Sequence, residues 1–244
     1  MAVDFRRDGV RSSLVWDVLS AVVSARVAAT GRPALDIVDV GGGTGGLAVP
    51  FAALGHNVTV VDPSPDALAA AQRRAAEAGA RLASVQGEAA SLDSLVGSAA
   101  ADLVICHNVL EYVDEPADAM SAIARVLRPS ATVSVIAANA VAAVLHRALA
   151  GRFAEARTLL TDPAQRTPRR FTLPGLTALV EQAGLRAGEA HGLRIFAGLV
   201  PGALLDGDAA ATEALRALEE AAANTPPLRD IAAQLHVLGH RRPP

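Results

Sequence analysis

A run of glycines between two apolar segments is the part of this chain whose residue types and spacing point most directly to chemistry. Residues 38–46 read VDVGGGTGG, and the next apolar segment ends in Asp62. Glycine lets the backbone approach a ligand at positions where any Cβ would collide with it. A carboxylate at the end of the neighbouring strand can accept hydrogen bonds from both hydroxyls of a ribose. This spacing predicts a nucleoside pocket at the carboxyl edge of a parallel sheet.

The glycine spacing alone fits two classes of cofactor. Gly41, Gly43 and Gly46 match the G-x-G-x-x-G pattern of dinucleotide-binding proteins. Gly41, Gly43 and Gly45, with Asp39 two residues before them, match the pattern of enzymes that bind S-adenosylmethionine (SAM). Asp39 lies inside a predicted buried strand, where a carboxylate needs partners that the loop amides or an amino group of SAM would supply.

The elements that must position these residues alternate between strands and helices. Short apolar runs predict strands, and the periodic segments between them predict helices that end at glycine or before proline. Strands are predicted over residues 35–40, 57–61, 81–86, 102–107 and 132–137. Helices are predicted over residues 10–29, 46–54, 66–78, 91–96 and 117–127. The alternation predicts an α/β fold with a doubly wound, mostly parallel, Rossmann-like sheet.

The pattern changes after the fifth strand. Further helices are predicted over residues 141–150, 153–160, 173–183 and 209–223. Strands within residues 185–199 and 234–239 would complete a seven-stranded sheet. We therefore expect one domain over residues 1–244, divided into a ligand-binding core (10–137), a helical substrate lobe (138–172) and a C-terminal part that completes the sheet (173–244).

The composition excludes several kinds of chemistry. All 22 basic residues are arginine, which excludes a lysine Schiff base and a Walker lysine and leaves anion binding to guanidinium groups. The single cysteine, Cys106, excludes an internal disulfide and a cysteine-rich zinc site, and the six histidines lack the spacing of a metal site. The net charge of −3 gives no overall attraction to nucleic acid.

The expected location is the cytoplasm, without a membrane partner. No apolar run approaches the roughly 18 residues that a membrane-spanning helix needs. Residues 1–11 mix acidic and basic side chains, which is not the pattern of a signal peptide.

The fourth predicted strand and its surroundings favour SAM as the cofactor. Residues 101–113 read ADLVICHNVLEYV, residues 126–129 read VLRP before the fifth strand, and residues 86–89 read QGEA after the third. Together these segments resemble the class I SAM-dependent methyltransferases, although Ser130 and Ala131 replace two glycines of that family. The resemblance covers roughly residues 10–140 and implies that Glu88 faces the adenine amino group of SAM.

A narrower resemblance extends over nearly the whole chain. It rests on residues 9–11, Trp16, the loop 39–43, residues 107–112, Asn139, residues 151–153, residues 192–196 and residues 236–237. These segments are similar to the tRNA 5-carboxymethoxyuridine methyltransferase family, which esterifies the carboxylate of a modified wobble uridine. The resemblance implies a tRNA partner, bound at its anticodon region, and a SAM site formed by Arg11, Gly41, Gly42, Asp62, Glu88, Ala89 and His107. Within that site Arg11 would pair with the methionine carboxylate of SAM, and Asp39 and Gly43 complete the expected cofactor contacts.

The chain departs from that narrower family at two places. Tyr112 replaces the family's tryptophan, and the lysine-rich segment that faces the anticodon is reduced to Arg166, Arg169 and Arg170. The arginines after the fifth strand are either a positive wall around an anionic substrate or ordinary solvated charges. Aromatic residues make up 3% of the chain, which argues against a broad stacking platform but leaves room for one stacked base.

Two residues are candidates for the transfer step. His107 ends the fourth strand beside the expected methyl donor, where it would contact SAM, orient the substrate or act as a base. A carboxylate acceptor is already ionised at neutral pH and needs no base, so an arginine such as Arg194 would position it. A hydroxyl or amine acceptor would use His107 as its general base.

Three other functions stay open from the sequence. The nearest is a small-molecule O- or N-methyltransferase, with an anionic metabolite or natural product as substrate and the lobe as its lid. An NAD-dependent oxidoreductase is disfavoured by the fourth strand and its sequel. A SAM-binding module without catalysis is disfavoured by the intact glycine loop with Asp62 and His107.

Overall fold

The fold alternates strands and helices along most of the chain. The computed structural model describes residues 5–161, 168–200 and 209–243, with side chains described from residue 14 onward. Helices α1–α9 span Phe5–Thr30, Ala48–Ala53, Pro65–Glu77, Leu92–Val96, Pro116–Val126, Ala140–Leu149, Phe153–Thr161, Leu173–Gln182 and Ala209–Ala222. Strands β1–β7 span Asp36–Val40, Asn57–Asp62, Ala83–Gln86, Ala101–His107, Leu127–Ala138, Arg186–Leu193 and Gln234–His240.

The strands form one seven-stranded sheet in the order β3-β2-β1-β4-β5-β7-β6. Strand β7 is antiparallel to β5 and β6, and the other pairings are parallel. The predicted doubly wound, mostly parallel α/β architecture is therefore confirmed. The strand order reverses between β1 and β4, and the crevice outside the carboxyl ends of the strands at that point is where such sheets bind ligands.

Strand β5 begins earlier than the sequence predicts. Leu127 pairs with Ala101 directly after α5, whereas Thr132 pairs with Leu103, so the residues between them bulge out of the ladder. Ser130 within this bulge has a φ of 61°. A bulge tolerates proline because its residues make no ladder hydrogen bonds, which is why the Arg-Pro segment reads as a loop in the sequence.

Helices cover both faces of the sheet. Leu19 of α1 and Phe51 of α2 are buried against one face. Ile123 of α5 and Val180 of α8 are buried against the other. Among the helices in the described ranges, none is both long enough and apolar enough to cross a bilayer.

An ion cluster ties the amino edge of the sheet together. The fully buried carboxylate of Asp102, in β4, lies 3.0 Å from Arg26, 2.8 Å from Arg32 and 2.9 Å from Arg128. Its Oδ2 also accepts the backbone N–H of Asp36 at 3.1 Å. Arg26 lies near the end of α1, so the cluster also ties that end of the helix to the amino edge.

Candidate functional site

The glycine loop after β1 has a backbone that only glycine adopts easily. Gly41, Gly43 and Gly45 have φ values of 64°, 53° and 76°. The N–H of Gly41 donates to the carbonyl of Val61 in β2 at 2.7 Å. A Cβ at Gly41 would lie 2.4 Å from the side chain of Val109, which follows β4. The first glycine therefore lets β1, β2 and the loop after β4 converge.

The middle of the same loop leaves open space. A Cβ added at Gly43 or Gly46 would meet no atom within 4 Å, whereas one at Gly42 would lie 2.7 Å from the Asp39 carboxylate. The loop thus packs tightly on its strand side and presents bare backbone on the other. This is the surface that a ligand could approach closely.

Asp62 occupies the position that the sequence predicts, at the end of β2. Its carboxylate is buried and accepts the N–H of Gly43 at 2.9 Å and the N–H of Ser64 at 2.9 Å, on different oxygens. Each carboxylate oxygen keeps a second lone pair. Asp62 can therefore hold the loop and still accept hydrogen bonds from two hydroxyls.

Asp39 is the second buried carboxylate of the crevice. It accepts a hydrogen bond from the backbone of Ala48 at the start of α2. Burial, and then the negative charge of Asp62, raise the pKa of Asp39 to about 7. A cationic group placed nearby would favour its ionised form.

Glu88 and Ala89 follow β3, which pairs with β2 on the side opposite to β1. They lie near Asp62 at the end of β2. The N–H of Gly87 donates to the carbonyl of Asp62 at 3.2 Å, which brings the turn after β3 against the end of β2. Glu88 is exposed, whereas Ala89 is buried in the core at the start of a short 3₁₀ helix. A Cβ at Gly87 would lie 2.3 Å from Leu95, so this turn also packs closely on its inner side.

His107 ends β4, next to the glycine loop. Its ring is half-buried, and its Nε2 lies 2.7 Å from the hydroxyl of Ser134 in β5. Asn108 follows with a φ of 58° and donates its N–H to the carbonyl of Ile136 at 2.8 Å. This left-handed residue turns the chain away from the sheet directly after His107.

The loop after β4 is anchored by Glu111, for which the sequence predicts a place at the start of a loop or short helix beside the substrate, or a cap on the following segment. The buried carboxylate of Glu111 accepts the N–H of Ala138 at 2.8 Å and the side-chain amide of Asn108 at 3.3 Å. Its carbonyl accepts the N–H of Arg169 at 3.1 Å, and the Arg169 guanidinium donates to the carbonyl of Asp114. Glu111 thus joins the ends of β4 and β5 to the segment before α8.

Arg194 lies at the same edge of the sheet but further away. It follows β6 directly, and its neighbour Leu193 pairs with Gln234, which in turn pairs with Ala138 at the end of β5. Three strand spacings of about 4.8 Å put the end of β6 roughly 14 Å from that of β4. The structure therefore brings Arg194 and His107 to one edge but not into contact.

The turn that carries Arg194 is held by a buried carboxylate that the sequence does not reveal. Glu219 of α9 accepts the N–H groups of Ile195, Phe196 and Ala197 at 2.7, 2.8 and 2.6 Å. Arg194 itself has a φ of 59°. Its Nε is buried and has no hydrogen-bond partner among the residues that the structure describes.

The arginines of the lobe differ in how firmly they are already paired. Arg152 makes two hydrogen bonds of 2.6 Å to Glu155, and Arg147 lies 3.8 Å from the same carboxylate. Burial, together with the charges of Arg194 and Arg147, lowers the pKa of His146 in α6. The edge near Arg194 is thus positively charged, and part of the predicted arginine wall is neutralised.

Two predicted site residues lie outside what the structure describes. Arg166 falls between the described ranges, and for Arg11 only the backbone, within α1, is described. Arg11 precedes Arg26 by 15 helical residues, roughly 22 Å of helix.

Comparison with known proteins places this site in a family. Residues 38–135 match the model of a methyltransferase domain. The chain is 29% identical over 196 residues to the tRNA 5-carboxymethoxyuridine methyltransferase of Escherichia coli strain K12, covering 77% of this chain and 72% of that one. It is 30% identical over 174 residues to the ubiquinone biosynthesis O-methyltransferase of Xanthomonas axonopodis pv. citri, covering 70% of each chain.

The chain belongs to the class I SAM-dependent methyltransferases. Solved methyltransferases share its fold. The magnesium protoporphyrin IX methyltransferase of Synechocystis PCC 6803, crystallised with SAH, superposes with a TM-score of 0.61 at 18% identity, over 99% of this chain and 89% of that one. A SAM-dependent methyltransferase from Mesorhizobium loti gives a TM-score of 0.61 at 18% identity, over 89% and 96% of the two chains.

SAM is the cofactor of this methyltransferase, as predicted, and the residues present fit it. The open backbone at Gly43 admits a close ligand, and Asp62 has lone pairs for two ribose hydroxyls. Asp39 is a buried carboxyl group with a raised pKa, and a neighbouring ammonium group would favour its ionised form.

Proposed function

We propose that this methyltransferase forms a methyl ester on the carboxylate of a modified wobble uridine in tRNA. The likeness to the Escherichia coli tRNA 5-carboxymethoxyuridine methyltransferase covers 77% of this chain, well beyond the methyltransferase domain at residues 38–135. The segments at residues 192–196 and 236–237, outside that domain, carry part of the resemblance.

The surroundings of Arg194 are the observation that favours a carboxylate as the methyl acceptor. The Nε–H of Arg194 is a buried donor without a hydrogen-bond partner among the described residues, and an anionic acceptor bound there would satisfy it. Its planar guanidinium suits a carboxylate, which it can bind through two parallel hydrogen bonds. The three N–H groups bound by Glu219 fix the turn that presents it.

The remaining residues hold the cofactor and align the acceptor. Asp62 binds the ribose, Glu88 and Ala89 border the adenine, and the loop at residues 41–43 lies against the nucleoside. Asp39 faces the amino group of SAM and Arg11 its carboxylate. SAM supplies an electrophilic methyl group. An ionised carboxylate attacks without losing a proton, so the protein contributes alignment and exclusion of water.

The rim of the site suits a nucleotide. Tyr112, in the loop after β4, is largely exposed, and its ring can stack on a base. Phe153 of α7, in the lobe, is largely exposed as well. Arg169 is tied to the same loop as Tyr112 through the carbonyl of Asp114. We assign residues 138–172, with Arg169 and Arg170, to binding of the anticodon region.

A small-molecule substrate is the second candidate. The observation in its favour is the likeness to a ubiquinone biosynthesis O-methyltransferase, at 30% identity over 70% of each chain. In that case residues 138–172 would act as a lid over an anionic metabolite.

The test is transfer of radiolabelled methyl from SAM. The acceptors are bulk tRNA from a source strain that lacks this gene and, in parallel, a small-metabolite extract of that strain. We expect label in tRNA that mild base releases, because methyl esters hydrolyse readily. Label in the metabolite extract alone would contradict the tRNA substrate and favour the second candidate.

A pair of arginine variants tests how the acceptor is held. Arg194→Gln should raise the KM for tRNA by about 10-fold or more, because hydrogen bonds to a charged group contribute about 1.5–3 kcal/mol. Arg152→Gln removes the same charge from an arginine already bound to Glu155, and it should change the KM little. Equal increases in the KM of the two variants would show that Arg194 acts through general electrostatic attraction and not through a specific contact with the acceptor.

A further inference from the structure

Gln234, the first residue of β7, lies between the two ends of the candidate site. It pairs with Ala138 of β5 on one side and with Leu193 of β6 on the other. His107 pairs with Ile136, so Gln234 lies two residues further out at the carboxyl edge than the level of His107. Strand spacings of about 4.8 Å put Gln234 roughly 10 Å sideways from β4 and roughly 5 Å from β6.

Gln234 lies on the same face of the sheet as His107. Paired residues of neighbouring strands share a face, and so do residues two apart along one strand. Ala138 and Ile136 are two apart in β5, which places their partners Gln234 and His107 on one face. Asp39 of β1 is on this face as well, because it pairs with the residue two before His107. Gln234 therefore shares both the edge and the face of the residues that form the candidate site.

One polar atom of Gln234 is buried without a partner. Its Oε1 makes no hydrogen bond among the residues that the structure describes. A buried carbonyl oxygen that receives no hydrogen bond costs free energy, and a donor on a bound ligand would recover it. The mechanism described above does not use this atom, although it lies beside the predicted path of the acceptor.

The backbone beside Gln234 is held from both sides. The preceding residue, Ala233, donates its N–H to the carbonyl of Arg194 at 3.3 Å and accepts the N–H of Asn139 at 3.1 Å. The side-chain amide of Asn139 donates to two carbonyl groups of the segment before β7, both at 2.8 Å. The start of β7 is thus tied to the ends of β5 and β6, and Gln234 is fixed next to the turn that carries Arg194.

Arg194 and Gln234 offer hydrogen-bonding groups of opposite kind. The Nε–H of Arg194 is a buried donor without a partner among the described residues, and Oε1 of Gln234 is a buried acceptor in the same state. A ligand that satisfies both needs an anionic or carbonyl oxygen and an N–H close to each other. A uracil ring with a carboxylate on its C5 substituent has this combination, because the carboxylate and O4 accept hydrogen bonds and N3–H donates one.

We propose that Gln234 is a specificity-determining residue whose Oε1 accepts the N3–H of the target uracil. The inference rests on the proposed function, which supplies a uridine as the acceptor. Arg194 then holds the carboxylate, and Gln234 recognises the base that bears it. Unpaired bases of RNA loops are read by hydrogen bonds of this kind to their Watson–Crick edges. An acceptor without an N–H at this place leaves Oε1 unpaired, so Gln234 also discriminates against it.

Two nucleosides measure this contact without catalysis. They are 5-carboxymethoxyuridine and its N3-methyl derivative, which lacks the N3–H. Each is titrated into the protein saturated with S-adenosylhomocysteine, first into the unsubstituted protein and then into Gln234→Met, which removes the acceptor at nearly constant volume. We expect N3-methylation to weaken binding about 10-fold in the unsubstituted protein and less than about 2-fold in Gln234→Met.

Kinetics and stability separate recognition from a structural role. With tRNA as acceptor, Gln234→Met should raise the KM about 10-fold and leave kcat and the Kd for SAM nearly unchanged. Its free energy of unfolding should equal or exceed that of the unsubstituted protein, because the change removes a buried unpaired oxygen. Gln182→Met is the matched control, since Gln182 is exposed at the end of α8. It should leave the nucleoside affinities and the KM as they are.

The outcomes also distinguish this inference from the proposed function. An equal effect of N3-methylation in both proteins, no binding of either nucleoside, or a clear loss of stability in Gln234→Met would overturn the role of Gln234. Any of these together with ester formation in tRNA removes this inference and keeps the proposed function. Nucleoside binding that depends on both N3–H and Gln234, without ester formation in tRNA, does the opposite.

Discussion

The two buried aspartates of this site, Asp39 and Asp62, differ in their hydrogen bonds and in their electrostatic surroundings. Asp62 accepts two backbone N–H groups and closes the glycine loop. Asp39, one strand away, is buried with a backbone hydrogen bond from Ala48, and its pKa is raised to about 7 by burial and by the charge of Asp62. We therefore propose that Asp62 binds hydroxyl groups of SAM and that Asp39 faces its cationic amino group.

SAM binding should release a proton from Asp39. At pH 6 the free protein holds this carboxyl largely protonated, because its pKa of about 7 lies above the pH. A neighbouring ammonium group lowers the pKa, so the carboxyl ionises on binding. Calorimetric titration with SAM at pH 6, in two buffers of different ionisation enthalpy, should show release of roughly half to one proton.

Asp39→Asn is the control for this measurement. It removes the titrating group, and we expect its enthalpy of SAM binding to be the same in both buffers. Equal proton release by Asp39→Asn and the unsubstituted protein would show that the proton comes from another group.

At the scale of elements, the loop between β1 and α2 combines close packing with open backbone. Gly41 and Gly45 pack closely, because a Cβ would lie 2.4 Å from Val109 at the first and 3.1 Å from Val49 at the second. Gly43 has the same left-handed backbone but open space. A substitution at Gly43 therefore distinguishes an effect on folding stability from an effect on SAM binding.

Gly43→Ala should weaken SAM binding far more than it weakens the fold. The positive φ of 53° costs about 1 kcal/mol for alanine, and the added methyl occupies the space that a ligand approaches. Gly79→Ala is the matched control, since Gly79 has a φ of 66° and open space but lies between α3 and β3 at the opposite edge.

Urea unfolding and SAM titration of both variants provide the measurement. We expect similar losses of stability and a Kd for SAM at least ~10-fold higher for Gly43→Ala alone. A normal SAM affinity in Gly43→Ala would place the cofactor away from this part of the loop.

The sequence predicts these elements because their signals are local. Apolar runs, glycines at helix ends and Asp62 at a strand end depend on neighbouring residues. The partners that shape the site are not local: Ser134 meets His236 over 102 positions, and Glu219 meets Ile195 over 24. Nothing in the spacing of those residues marks them as neighbours, so Ser134, Glu219 and His236 had no predicted role in holding the site.

At the scale of the whole molecule, the ion cluster around Asp102 and the candidate site lie at opposite edges of the sheet. The Asp102 cluster joins α1, β1, β4 and β5 at the amino edge. The glycine loop, Asp62, His107 and Arg194 all lie at the carboxyl edge. Changes at the amino edge should therefore alter stability without altering SAM binding.

Asp102→Asn tests this separation. Removing the charge leaves Arg26, whose side chain is 16% exposed, without its carboxylate. We expect a loss of about 3 kcal/mol in the free energy of unfolding by urea, with an unchanged Kd for SAM. Asp93→Asn breaks an exposed pair with Arg125 and should have little effect on stability. A large change in SAM affinity in Asp102→Asn would mean that the two edges are coupled.

The most direct test of the proposed function is the mass of the modified nucleoside. Undermethylated tRNA is incubated with the protein and SAM, digested to nucleosides and analysed by mass spectrometry, with and without mild base. We predict a carboxyl-bearing uridine that gains the mass of one CH₂ group and loses it again in base. A gain in mass that survives base, or no gain in any tRNA nucleoside while a small metabolite is methylated, would contradict it.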